Sequence, residues 1–227
     1  MQIFSLLFHN PLLAMVWVLA ILCALTFHEF SHALVARWRG DTTAERAQRL
    51  TLNPLAHIDP VGLIPLLLFG FGWAKPVPFN PYNFRSPKWD SVLVALAGPV
   101  SNLLFASVSA LFLRFLLIQS FFTPTNLLVV FLFLLVLINL FLMMFNLIPI
   151  HPLDGSKLLD ALLDAPRYHA LRMKIAMYGP QILLLLVFLS LLTPLNIFFF
   201  VSEPSFALCN LFVSDRCDLF YFYIFSS

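Results

Sequence analysis

The chain has 227 residues, of which 61% are hydrophobic and only 11% charged. Soluble domains carry about 25% charged residues, so this composition excludes an ordinary soluble domain, a disordered tail and a secreted disulfide scaffold. It predicts a polytopic, all-α membrane protein. A net charge of +2 gives no sign of a nucleic-acid partner, and the three cysteines, Cys23, Cys209 and Cys217, form no CxxC pair.

In chain order, the N-terminal decapeptide holds no Lys or Arg, and no small-residue cleavage site follows the first apolar run. The start therefore reads as a retained membrane segment, not a signal peptide. Four stretches reach the ~20 apolar residues that a bilayer requires, over about 11–36, 91–118, 127–148 and 179–200. The stretch 61–74 is apolar but short, broken by Pro65, Gly70 and Gly72; it is either a short span or a re-entrant dip. The tail, 201–227, is rich in aromatics but interrupted by Asp215, Arg216 and Asp218. It reads as a weak span, a surface element or a divergent terminus, and Cys209 and Cys217 could pair if it lies outside. A single integral-membrane domain over 1–200 accounts for the rest.

Charge placement selects a topology. Eleven of the 13 Lys and Arg residues fall in three loops, around Arg37–Arg49, Lys75–Lys88 and Lys157–Lys174, while the loop 119–126 holds none. If 61–74 crossed the membrane, the basic loops on its flanks would face opposite sides. If it dips in and returns, all three share one side, as the positive-inside rule prefers. That side is then cytoplasmic. A non-helical dip is tolerated only where protein or a wet cavity shields its backbone.

The chemistry sits at His28-Glu29-Phe30-Ser31-His32, near the end of the first span. Residues i and i+4 share a helix face, so both imidazoles of an HExxH can bind one metal, with Glu29 beside a bound water as general base. A bland reading, polar residues at a helix end, competes. Against it, the run from Leu12 to Phe27 has no ionisable group but Cys23, and then three arrive within five residues. Ionisable groups inside a span are costly and usually functional. Catalytic zinc needs a third protein ligand and keeps one position for water. The other glutamates, Glu45 and Glu203, are poorly placed. Asp154 stands out in Asn146-Leu-Ile-Pro-Ile-His-Pro-Leu-Asp154-Gly155, where Pro149 and Pro152 break the helix after the third span. Only the dip topology puts Asp154 on the same side as the histidines.

Together these motifs resemble the site-2 protease family, peptidase family M50. The resemblance rests on HEFSH at 28–32 and NLIPIHPLDG at 146–155. It extends to Ala97-Gly98-Pro99-Val100-Ser101-Asn102, to Leu52–Pro60, and to Gly72-Trp73-Ala74-Lys75-Pro76-Val77-Pro78, covering most of 10–200. It is similar to a compact bacterial-type branch without PDZ or CBS domains. The resemblance implies one Zn2+ per chain held by His28, His32 and Asp154, with Glu29 activating water. It implies a substrate that is a membrane-spanning protein segment, cut near its cytoplasmic end in a bacterial or archaeal cell membrane. The segment around 70–78 resembles the family's re-entrant, β-like loop, where an unwound substrate could pair as an added strand. Asn146 would contact the substrate backbone or the oxyanion.

Two positions depart from the family pattern. His151 stands where relatives often have Pro and could rival Asp154 as a ligand; Gln48 stands where they often have Gly. His57 is either a partner behind the site or a turn residue. Asn102 and Gly98 read as helix-packing residues of the second span. Competing functions are a membrane metal-binding or transport protein and an inactive, protease-like binder of client helices. A transporter needs polar groups along a path, which the second and fourth spans lack; a pseudoenzyme need not retain Glu29. The sequence fixes neither oligomeric state nor substrate identity.

Overall fold

The computed structural model describes residues 10–69, 71–119, 123, 125–214, 217, 218, 220 and 221. Gly70, residues 120–122 and 124 of the 119–126 loop, and Asp215 and Arg216 of the tail therefore lie outside the described residues. Three long helices form the core. Helix α1, Pro11–Trp38, starts where the Asn10 side chain accepts from the Leu13 amide and Pro11 occupies the first turn. Helix α4, Pro87–Ile118, and helix α5, Leu127–Asn146, pack against it and each other. Asn126 caps α5 through the Leu128 amide. Phe133, Leu134, Val136 and Leu140 of α5 are fully buried, with Leu113 of α4 and Ala20 of α1. The paired residues run in opposite order along α1 and α4: His32 meets Val94, and His28 meets Asn102. These two helices are therefore antiparallel, and α5 ends at the same end of the bundle as α1.

Between α1 and α4 lie the four-residue α2, Thr43–Arg46, and α3, Pro60–Phe69. The stretch 61–74, expected as a short span or a re-entrant, β-like segment, is thus helical in its first part, the ten-residue Pro60–Phe69. Asp59 accepts from the Val61 amide at its start, and Pro65 is tolerated within it. Ten helical residues span about 15 Å, half of a hydrocarbon core. The chain then comes back beside its own beginning. Ala74 bridges Ile58 in antiparallel fashion, the Lys75 amide donates to the His57 carbonyl at 2.9 Å, and the Trp73 indole donates to Asp59. Two glycines permit this close return. A Cβ on Gly62 would lie 2.2 Å from the Trp73 carbonyl oxygen, and one on Gly72 would lie 2.3 Å from that of Gly62. Residues 71–73 and 75–80 belong to no regular element, and there is no strand among the described residues.

After α5 the chain turns through 147–154 into α6, Gly155–Leu162, which packs on α4. Helix α7 runs from His169 to Leu192. It begins ten residues before the expected 179–200 stretch because Arg172 and Lys174 are accommodated within its first turns. It stops where Pro194 disfavours helical geometry at Thr193. Four helical segments, Pro11–Trp38, Pro87–Ile118, Leu127–Asn146 and Pro166–Leu192, are long and apolar enough to cross a membrane. The architecture is an all-α polytopic membrane protein. The tail forms α8, Phe199–Val213, which packs on α5 through Phe141 and Phe206. It ends at Ser214 in the left-handed region, followed by a Cys209–Cys217 disulfide. Gln48 also has a positive φ, 57°, the conformation glycine adopts most readily.

Candidate metal centre and active site

His28 and His32 are buried on one face of α1, and each is fixed from behind by a different part of α4. His28 Nδ1 lies 2.6 Å from Asn102 Oδ1, and His32 Nδ1 lies 2.7 Å from the Val94 carbonyl oxygen. Neither oxygen can donate, so each Nδ1 carries the proton and each Nε2 presents a lone pair. Asn102 is held in turn, because its amide donates to Asn139 Oδ1 at 2.7 Å, and the Asn139 amide donates to the Leu135 carbonyl. Both asparagines are fully buried. Asn102 thus does more than glue helices: it sets the tautomer and direction of His28. Asn139 carried a sequence signal, as the one polar residue of 127–145. Gly98 lets α4 come this close. A Cβ there would sit 2.5 Å from both His28 Cε1 and His32 Nε2.

Asp154 completes the group from the other side. The turn that carries it is closed by backbone bonds, Ile150 N–H to the Ile148 carbonyl and Leu153 N–H to the Ile150 carbonyl. The turn also requires Gly155, whose Cβ would lie 2.3 Å from the Leu147 carbonyl oxygen. The result puts Asp154 Oδ2 3.2 Å from His28 Nε2 and 3.4 Å from His32 Nε2, with the two Nε2 atoms 3.0 Å apart. Tetrahedral zinc with N and O ligands at ~2.0–2.1 Å separates its ligand atoms by about 3.3 Å. Two imidazole lone pairs and a carboxylate aimed at one point repel unless a cation lies between them. The donor set and its spacing therefore fit a zinc ion. His28, His32 and Asp154 form a group whose ligand atoms all lie within 4.8 Å.

A cavity of about 530 Å³ opens onto this group. Its lining includes Glu29, whose Oε2 is buried without a hydrogen-bond partner, and Asn146, which spends one amide N–H on the Leu142 carbonyl. Residues 71–74 and Pro76, Val77 and Phe79 form one wall; Pro180, Leu183 and Leu184 of α7 contribute to another. His57 and His151 are not brought to the ligand group. His57 ends the turn 54–56 and its Nε2 donates to the Thr51 carbonyl at 2.9 Å. His151 Nε2 faces Asp160 Oδ2 at 3.2 Å.

A buried two-histidine, one-carboxylate centre inside a bundle of membrane-length helices, with a glutamate beside it, defines a membrane-embedded metalloprotease. The chain belongs to peptidase family M50, the site-2 protease family. The family model, described as "Peptidase family M50", matches residues 119–190. Three relatives each carry the name "Putative zinc metalloprotease". YwhC of Bacillus subtilis is 39% identical over 175 residues, covering 74% of this chain and 78% of its own length. MJ0611 of Methanocaldococcus jannaschii is 32% identical over 160 residues, covering 69% and 75%. Rip2 of Mycolicibacterium smegmatis is 38% identical over 91 residues, covering 37% and 34%. No solved structure matches the chain.

Proposed function

We propose that this metalloprotease is an intramembrane zinc endopeptidase that hydrolyses a peptide bond within a membrane-spanning segment of its substrate. The observation that carries the reading is the convergence of His28, His32 and Asp154 at the cavity that Glu29 also lines. One zinc ion held by these three residues would supply Lewis acidity, polarising a carbonyl and acidifying water. Glu29 Oε2 has no hydrogen-bond partner among the described residues and takes the proton from the attacking water. The water oxygen bonds to the carbonyl carbon, and the proton passes from Glu29 to the departing amide nitrogen as the C–N bond breaks. The second amide N–H of Asn146 is available to the carbonyl oxygen as charge develops there.

A helical peptide bond in lipid is shielded by its own hydrogen bonds, so the substrate must unwind to be cut. Residues 76–79 of the wall, beyond the Ala74 bridge and the Lys75 amide bond, offer backbone to which such a strand could pair. In this reading α3 and the following residues, 61–74, re-enter the membrane and do not cross it. The basic loops face the cytoplasm of a bacterial or archaeal cell, and 1–200 is one peptidase domain. Glu29→Gln tests the chemistry. It is expected to keep zinc and lose about 10³-fold in hydrolysis of a membrane-segment peptide. Unchanged hydrolysis would remove Glu29 from the mechanism. Cysteine labelling tests the topology: a 119–126 loop labelled from the cytoplasm would contradict it.

A further inference from the structure

We infer that Lys157 selects the substrate of this cavity by pairing with an acidic side chain close to the cleaved bond. The inference rests on the peptidase reading and names the class of segment cut. Lys157 lies in the first turn of α6, three residues after Asp154, and lines the same cavity. It is half-buried, and its ammonium makes no ion pair or side-chain hydrogen bond among the described residues. It is also the one ammonium or guanidinium group among those residues that lines the cavity.

The carboxylates that follow Lys157 on α6 and just past its end are already engaged. Asp160, one turn along, faces His151 at 3.2 Å and Arg172 at 3.8 Å. Asp164 pairs with Lys88 at 3.1 Å and with Arg172 at 3.3 Å. Within the cavity, the charged groups besides Lys157 are Glu29 and Asp154. A divalent cation held by neutral histidines is balanced by those two carboxylates, which leaves the ammonium of Lys157 in excess. The cavity lining also includes the apolar Phe145, Leu183 and Leu184, so a carboxylate brought in beside the ammonium is attracted more strongly than it would be in bulk water. A phosphate of a lipid headgroup could also meet a lysine, but Lys157 shares its cavity with the hydrolytic group, which favours the substrate.

The test uses purified full-length protein in zwitterionic detergent and three membrane-segment peptides identical except for Glu, Gln or Lys beside the cleaved bond. Cleavage is measured as kcat/KM for wild type, Lys157→Met and Lys157→Glu, and peptide affinity is measured on the Glu29→Gln background. Wild type is expected to favour the Glu peptide over the Lys peptide about tenfold. Lys157→Met should flatten the preference and Lys157→Glu should invert it. A merely structural lysine would not invert it. The same preference in all three proteins overturns the inference. So does charge-blind cleavage combined with a dependence on anionic lipid that Lys157→Met abolishes, since Lys157 would then be a headgroup anchor. Binding separates the two levels. Charge-selective binding without hydrolysis in wild type sinks the peptidase reading alone, whereas hydrolysis without charge selection sinks this inference alone.

Discussion

The two halves of the ligand group are held in opposite ways. The histidine half is anchored through its side chains. Each imidazole is bonded to α4 at Nδ1, and a chain of two buried asparagines runs from His28 through Asn102 to α5. The aspartate half is anchored through its backbone. Among the described residues Asp154 Oδ2 faces only the two imidazoles and has no hydrogen-bond partner behind it, and its place is set by a turn closed on its own carbonyls and by Gly155. The comparison teaches where each half is vulnerable. The first fails when a supporting side chain is lost, and the second fails when the turn cannot close.

Substitutions at the two glycines should break both halves and produce the largest effects. Gly98→Ala puts a methyl 2.5 Å from both imidazoles, and Gly155→Ala puts one 2.3 Å from the Leu147 carbonyl. Each should lower zinc affinity at least about 100-fold, because a ligand is displaced outright. Competition titration with a chelator measures this, and near-normal affinity in either variant would show that the close approach is not needed. Asn102→Ala should act on the histidine half alone. It releases His28 Nδ1 and leaves Asn139 Oδ1 without its donor, so affinity should fall about 30-fold. His151→Ala sharpens the contrast. His151 lies in the turn that carries Asp154, but its side chain faces Asp160 of α6, so its loss should change affinity by less than about threefold.

The smallest effect is expected at Asp41, just past the end of α1. Burial pushes its carboxyl up, but hydrogen bonds from Thr43, Asn83 and the Asn80 amide outweigh this and hold it below the ordinary carboxylate range. The folded state therefore binds fewer protons there than the unfolded state. The stability this contributes is present above the ordinary value of 3.8 and is lost as pH falls through the lower folded value. Asp41→Asn should lower the midpoint of thermal unfolding by about 3 °C at neutral pH. The gap from wild type should narrow below pH 3.8, and a gap independent of pH would rule out the carboxylate as its source.

Much of this was legible in the sequence, for a physical reason in each case. Membrane spans announce themselves because lipid demands long apolar runs, and HExxH does so because helical spacing puts its histidines on one face. Asp154 was reachable by elimination of the other carboxylates and by the proline-broken turn that carries it, with topology as an independent check, and the structure brings the three ligand atoms together. What escaped was supporting detail. Asn102 read as a packing residue because a buried Asn in a span usually is one, and nothing in one sequence says which imidazole it faces. The helicity of Pro60–Phe69 was hidden by Pro65, whose cost a helix capped at its start by Asp59 can bear. The register of the fourth span was hidden by Arg172 and Lys174, which a span can hold at its end by snorkelling. Cys209 and Cys217 pair, although eight residues of spacing carried little information by itself.

The most direct test is the metal content of the detergent-purified protein, with Asp154→Ala and His151→Ala beside wild type. The account predicts about one zinc per chain in wild type and His151→Ala, and its loss in Asp154→Ala. Full zinc in Asp154→Ala, or its loss only in His151→Ala, would contradict the joining of the two distant motifs into one site.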